Sequence, residues 1–309
     1  MARYFRKLVA MALAVSLPFF LFFGALFALP DHRGGSIAAT IRYKTQLLQT
    51  TVGPRILFAG GSSSPYGTIC AEVERQLGRS AICVGATAYL GIPFYLSLLE
   101  TYAQTGDVIV LAPEHSLLTS EAIDYTLVWE AAGQEPDVWR CMPLSYLPGL
   151  FSSGVSYFKL KWSVLDEPSA DYHVDFGPLG DVVTPREALL SAGYLPDDPV
   201  DLSPERIYLT NIEQINRFAE KMARRGVTVV FAFAPLDELA VTSSAEETAA
   251  FGRAVTEALE IPVILDLPTA LLPGAYFYDS NNHLTSAGAQ INTQNLIDGL
   301  REVLADEAE

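Results

Sequence analysis

The sequence predicts a three-layer α/β/α domain built on a roughly five-stranded parallel sheet, preceded by one N-terminal transmembrane helix. Three observations carry this prediction. Short, uninterrupted apolar runs alternate with amphipathic helical stretches; most of the runs end in Gly, Pro or small polar residues; and a long uncharged segment lies near the N-terminus. Strands that read as continuous apolar runs are buried on both faces, which requires helices above and below a parallel sheet.

The N-terminal segment comes first. Arg3, Arg6 and Lys7 precede an apolar run from Leu8 to Leu29 that carries no charge. As a helix rising about 1.5 Å per residue it reaches roughly 33 Å, enough to cross a bilayer core. The run is longer than the apolar core of a typical cleaved signal, and Phe27 and Ala28 make a poor cleavage site. Basic residues ahead of the run place the N-terminus in the cytoplasm and everything after Pro30 outside. The expectation is an uncleaved single-pass anchor over residues 1–30 in the cell membrane, with a cleaved signal or a buried core helix as the alternatives. Pro18 kinks such a helix, which membrane segments tolerate. Residues 31–53 read as a membrane-proximal stalk, helical from Ser36 to Thr51, and residues 54–309 as the domain itself.

Within the domain, Arg55 to Ala59 is an apolar run that ends in Gly60-Gly61-Ser62-Ser63-Ser64, a buried strand followed by a tight turn. Ile69, Val73 and Leu77 recur every four residues on one helix face that Gly78 closes. Ala81 to Val84 forms a second strand ending at Gly85. A helix from about Pro93 to Tyr102 follows, and Asp107 to Ala112 is a third strand ending at Pro113-Glu114-His115. From about Ser116 to Ile207 the rhythm is lost in a stretch rich in aromatic residues, Pro and Gly, read as a long insertion with short helices. Thr210-Asn-Ile-Glu213 reads as a capping box, and Ile212, Ile215, Phe218 and Met222 as the buried face of the helix it starts. Val227 to Ala234 is a fourth strand, Ser244-Ala-Glu-Glu247 caps another helix, and Pro262 to Leu265 is a fifth strand. Leu296, Leu300, Val303 and Leu304 stripe the final helix.

Composition bounds the function classes. The 309 residues are 50% hydrophobic and 18% charged, so the chain is globular. A formal net charge of −16 opposes any sequence-independent hold on nucleic acid, since phosphate binding needs clustered Lys and Arg. Cys70, Cys83 and Cys141 are odd in number and lack metal-ligand spacing; Cys70 and Cys83, on a predicted helix and strand, read as small buried hydrophobes. No metal or other cofactor is implied.

Ligands of open parallel sheets sit beyond the carboxyl ends of the strands. Topology therefore gathers Gly60–Ser64, Gly85, Glu114–His115, Pro235 and the loop before the last helix. A serine nucleophile needs a base, a group that orients the base, and backbone N–H donors for the oxyanion. Ser62 follows two glycines at a strand-to-helix turn, where its plainer reading is a helix N-cap. Of the four histidines, His32 lies beside the membrane segment, His173 lies in the insertion, and His115 and His283 fall on the site edge. His283 stands four residues after Asp279 and just ahead of a helix, so Asp279 is able to hold its second ring nitrogen.

Phe58-Ala-Gly-Gly-Ser-Ser63, Gly106-Asp-Val-Ile-Val-Leu-Ala-Pro-Glu114 and Phe277-Tyr-Asp279 through His283-Leu284 to Gly288 together resemble the sequence blocks of the SGNH/GDSL hydrolase superfamily. More closely, the chain is similar to N-terminally anchored bacterial SGNH-like proteins, from about Lys44 to Leu304, with weak similarity across the insertion. The resemblance implies an SGNH/flavodoxin-like fold, Ser62 as nucleophile, His283 as base and Asp279 as its partner, with amides near Ser62 and Gly85 forming an oxyanion hole; Gly61 and Ser63 belong to that loop. Two departures stand out. The family places its Asp three residues before the His rather than four, and its Gly-x-Asn-Asp block is absent. An ionised Glu114 beside an oxyanion would oppose it; protonated Glu114, or a Glu114 that binds a substrate hydroxyl or amine, are the alternatives, and Asn281 or Asn282 could replace the missing amide.

These readings lead to two expectations. One is an extracytoplasmic serine esterase or O-acyltransferase acting on an envelope glycan or lipid-linked substrate. The other is a non-catalytic SGNH-like envelope protein that binds a glycan or a partner enzyme in the same cleft, with the aromatic insertion covering the cleft, stacking on sugars, or forming a local core of its own.

Overall fold

A computed structural model describes residues 2–29, 37–163, 176–188 and 199–306; His32, His173 and parts of the insertion lie outside them. Helix α1 (Ala2–Ala28) contains Pro18 and is long and apolar enough to cross a membrane. Helix α2 (Ile37–Thr50) follows, then strand β1 (Arg55–Gly60), helices α3 (Ser63–Gly67) and α4 (Cys70–Leu77), strand β2 (Ser80–Cys83), helix α5 (Gly91–Tyr102) and strand β3 (Val108–Ala112). The insertion supplies α6 (His115–Thr119), α7 (Tyr125–Ala132), α8 (Pro136–Arg140) and α9 (Leu147–Ser163). The chain continues through α10 (Leu209–Ala223), β4 (Thr228–Ala232), β5 (Leu236–Asp237), α11 (Ala245–Ala258), β6 (Val263–Leu265), α12 (Leu267–Ala270), β7 (Leu271–Leu272) and α13 (Ser286–Asp306).

The main sheet is parallel throughout, in the order β2-β1-β3-β4-β6, so the three-layer expectation holds. Successive side chains of a strand point to opposite faces. Leu57, Ala59, Ile109, Leu111 and Phe231 pack on one face with α2, α5 and α10, and Ile56, Phe58, Val108, Val110 and Val230 pack on the other with α4 and α13. A two-residue parallel ladder pairs β5 with β7 beside this sheet.

Two sequence readings need correction. The stretch read as a stalk is a helix packed into the domain: Ile41, Thr45 and Leu48 are buried on it. Lys44 is fully buried as well, its Nζ donating to the carbonyls of Gly180 at 2.7 Å and Cys83 at 3.1 Å and lying 4.3 Å from the centre of the Phe176 ring. Burial pushes the Lys44 ammonium pKa down. Helix α2 also packs on α7, so a moderately polar sequence hides one apolar stripe. The second correction concerns α10, which starts one residue before Thr210, with Tyr208 at its N-cap and no side-chain cap. There Asn211 turns inward instead, its amide donating to the carbonyls of Leu117 and Ser120 and tying α10 to α6. The Ser244 capping box forms as read, and Ile212, Ile215, Phe218 and Met222 are buried.

The cysteines are free and buried. Desolvation raises the Cys83 thiol to about 11 and pushes Cys70 well up, which suits packing and not nucleophilic attack. The insertion is more regular than its sequence suggested, with α9 running 17 residues. Trp129, Tyr146 and Tyr157 are buried in it, and Trp129 stacks on Tyr157 with ring centres 5.6 Å apart and donates its indole N–H to the Leu150 carbonyl.

Candidate active site

Each parallel strand delivers its last residues to the same edge, and the polar residues singled out above collect there. Ser62 follows β1 and occupies the N-cap position of α3, yet its hydroxyl makes no cap bond. The hydroxyl is instead 2.7 Å from His283 Nε2. His283 Nδ1 lies 2.7 Å from Asp279 Oδ1. Residues separated by 221 positions in sequence thus meet in one hydrogen-bonded relay.

The Asp-to-His gap of four is accommodated by a closed loop. Phe277 and Leu284 form an antiparallel bridge, and the Tyr278 N–H donates to the His283 carbonyl. Inside the loop Ser280 Oγ accepts the His283 N–H and donates to Asn282 Oδ1. Asn282 thus accepts through its side-chain oxygen within its own loop, a bond that does not use the amide N–H groups considered from sequence. The Asn281 carbonyl accepts the Asp237 N–H, which fastens this loop to the segment after β4. Pro235, in the same segment, lies against Gly67.

Glu114 is the departure with the largest chemical consequence. It follows β3, is buried, and places Oε1 2.9 Å from the Ser63 N–H and 3.0 Å from Ser62 Oγ. The Ser63 amide expected for an oxyanion is thus already paired with a carboxyl oxygen. Gly61 is required for this approach, since a Cβ there would lie 2.1 Å from Glu114 Oε1. Gly85 follows β2 and packs as tightly, a Cβ there falling 2.6 Å from the Gly61 carbonyl oxygen. The hydroxyl of Tyr95 accepts from the N–H groups of Ala86 and Thr87 and donates to the Thr87 carbonyl, fixing the loop after Gly85.

Proton counting constrains the resting site. The contacts Nε2 to Oγ and Oγ to Oε1 need two protons among three heavy atoms, and Ser62 brings one. The second resides on His283 or on Glu114. His115 plays no such part: it is buried, its Nε2 has no hydrogen-bond partner, and desolvation lowers its pKa to about 4, which keeps it neutral near pH 7.

Two contributors were not legible in the sequence. Tyr66 stacks on the His283 ring, centroids 4.0 Å apart and planes 8° from parallel, holding the imidazole edge toward Ser62. Its signal was position alone, four residues after Ser62 and so one helical turn on. Arg186, from the insertion, is buried and donates to the carbonyls of Leu284, Val182, Thr184 and Tyr66. Its backbone N–H donates to Ser286 Oγ, and the Ser286 N–H donates back to its carbonyl. One guanidinium thereby ties the Ser62 loop to the His283 loop, and no spacing rule points to it.

No protein-family model matches the chain, and no curated protein matches it. Among solved structures the chain is similar to a protein of Streptococcus pneumonia provisionally described as a platelet activating factor, at 15% identity and a TM-score of 0.44, covering 94% of this chain and 99% of that one.

Proposed function

We propose that this chain is an extracytoplasmic serine esterase or O-acyltransferase of SGNH type, anchored by α1, acting on an envelope glycan or lipid-linked substrate. The observation that carries the reading is the continuous relay from Asp279 through His283 to Ser62, with both links at 2.7 Å. In the first half-reaction Ser62 Oγ attacks the ester carbonyl while its proton passes to His283 Nε2. The tetrahedral adduct then expels the alcohol, which takes that proton, and leaves an acyl ester on Ser62. In the second half water or a sugar hydroxyl attacks the acyl ester, giving its proton to Nε2, and Ser62 departs as the hydroxyl. Asp279 accepts from Nδ1–H throughout and favours the imidazolium that forms in passing. A spanning α1 supports an envelope substrate because tethering raises the local concentration of the site at the membrane.

A fluorophosphonate probe tests the serine mechanism directly. Wild-type protein is expected to label and Ser62→Ala to lose the label; undiminished labelling of the variant overturns the reading.

Glu114 favours a second reading, a binding protein without turnover, because a carboxyl group on Ser62 and the Ser63 amide occupies the place where oxyanion donors are needed. The two readings separate on Glu114→Gln. The amide keeps the side-chain shape, cannot ionise and offers an N–H. With a single oxyanion donor commonly contributing about 10²–10³ in rate, this variant is expected to hydrolyse p-nitrophenyl acetate about tenfold faster or more. A chain built only to bind shows no hydrolysis in either form.

A further inference from the structure

We propose that α9 is an interfacial helix whose outward apolar stripe lies in the headgroup–acyl boundary of the bilayer that α1 crosses; the proposal rests on the anchoring reading of α1. Leu147, Phe151, Val155 and Trp162 share one helical face and are 53, 59, 54 and 62% exposed. The neighbouring face, with Leu150, Gly154 and Tyr157, is buried, while Ser152, Ser156, Lys159 and Ser163 are exposed on the remaining side. Single exposed apolar residues are ordinary on soluble proteins. Four on one stripe, bordered by serine and lysine, have the pattern of a helix lying in a membrane interface.

The occupant follows from what the stripe is continuous with. Helix α9 crosses α1 near the outer end of the apolar segment: Phe158 and Phe22 have ring centres 5.6 Å apart, and Phe151 stacks on Phe23 at 5.8 Å. The two helices are close at Gly154, where a Cβ would meet the Phe22 and Phe23 rings at ordinary contact distances of 3.6 and 3.7 Å. Buried Lys161 donates from Nζ to the carbonyls of Leu26 and Leu29, both at 3.1 Å, satisfying acceptors that the end of α1 leaves open. Phe22 stands six residues before Ala28, the last residue of α1, or about 9 Å along the helix. Interfacial helices sit about 5–10 Å into the headgroup–acyl boundary, so the stripe lies at the matching depth. The Lys159 side chain, exposed at the polar flank, is placed to meet anionic headgroups.

The test uses the full chain reconstituted into phosphatidylcholine–phosphatidylglycerol vesicles with brominated acyl chains. Flotation reports the anchor, and quenching of tryptophan emission reports depth. Wild-type protein should float and be quenched, and Trp162→Phe should float with most of the quenchable emission lost, because Trp129 and Trp139 sit in the aromatic core. Equal quenching of the two floating proteins overturns the interfacial helix while leaving the anchor standing. Failure to float removes the anchor and the proposal together. A benzophenone amino acid in place of Val155 provides an independent readout: crosslinks to lipid support the proposal, and crosslinks to a second copy of the chain overturn it in favour of an interface between copies.

Discussion

Replacing His283 by Ala is expected to lower p-nitrophenyl acetate hydrolysis by about 10³-fold or more, with little change in KM. The imidazole is the group within reach of the Ser62 proton that also has its far nitrogen held, by Asp279. Without it the serine hydroxyl is a poor nucleophile at neutral pH, and the binding contribution to KM is untouched. Losing His283 also removes the ring that Tyr66 stacks on, so thermal unfolding must be measured on the same preparation. A well-folded variant with wild-type turnover ends the relay mechanism, whatever the labelling of Ser62.

The largest effect on stability is expected far from the chemistry. Arg55 and Asp107 are both fully buried at the start of β1 and β3 and form an ion pair at 2.7 Å. Asp107 also accepts from the backbone N–H groups of Arg55 and Gln104, and Arg55 donates to the carbonyls of Leu48, Thr51 and Tyr102. The pair thus joins α2, α5 and two central strands. Asp107→Ala strands a buried guanidinium, at a cost of about 3–5 kcal/mol. For a domain of this size the unfolding midpoint should fall by roughly 10 °C. Replacing both partners with apolar residues should recover much of the loss, because the charge that needed solvating is gone. A single variant as stable as the wild type means that the pair contributes nothing net.

The sheet was legible because its strands are buried on both faces, and no soluble loop explains Ile56-Leu-Phe-Ala59 or Val108-Ile-Val-Leu111. Ser62, Glu114 and His283 were legible for a topological reason: parallel strands must release their ends at one edge. The site's supports were harder to see. Arg186 acts through backbone carbonyls brought together by tertiary structure, and a carbonyl leaves no mark in a sequence. Tyr66 reads as an ordinary helix residue until the His283 loop folds over it. The Thr210 capping motif misled because local hydrogen bonding competes with tertiary demand, and Asn211 gains more by bridging to α6. Helix α2 misled through its polar average, which concealed Ile41, Thr45 and Leu48 on one side.

That α2 belongs to the domain changes how far the site can travel. The described residues break off at Leu29 and resume at Ile37, on a helix that Lys44 fastens beneath β2. Eight peptide steps extend at most about 28 Å, and the Lys161 bonds to the end of α1 shorten the leash further. With α1 in a bilayer, as proposed, the domain stays within a short reach of the membrane surface, so a substrate is selected by its distance from that surface before any side chain touches it.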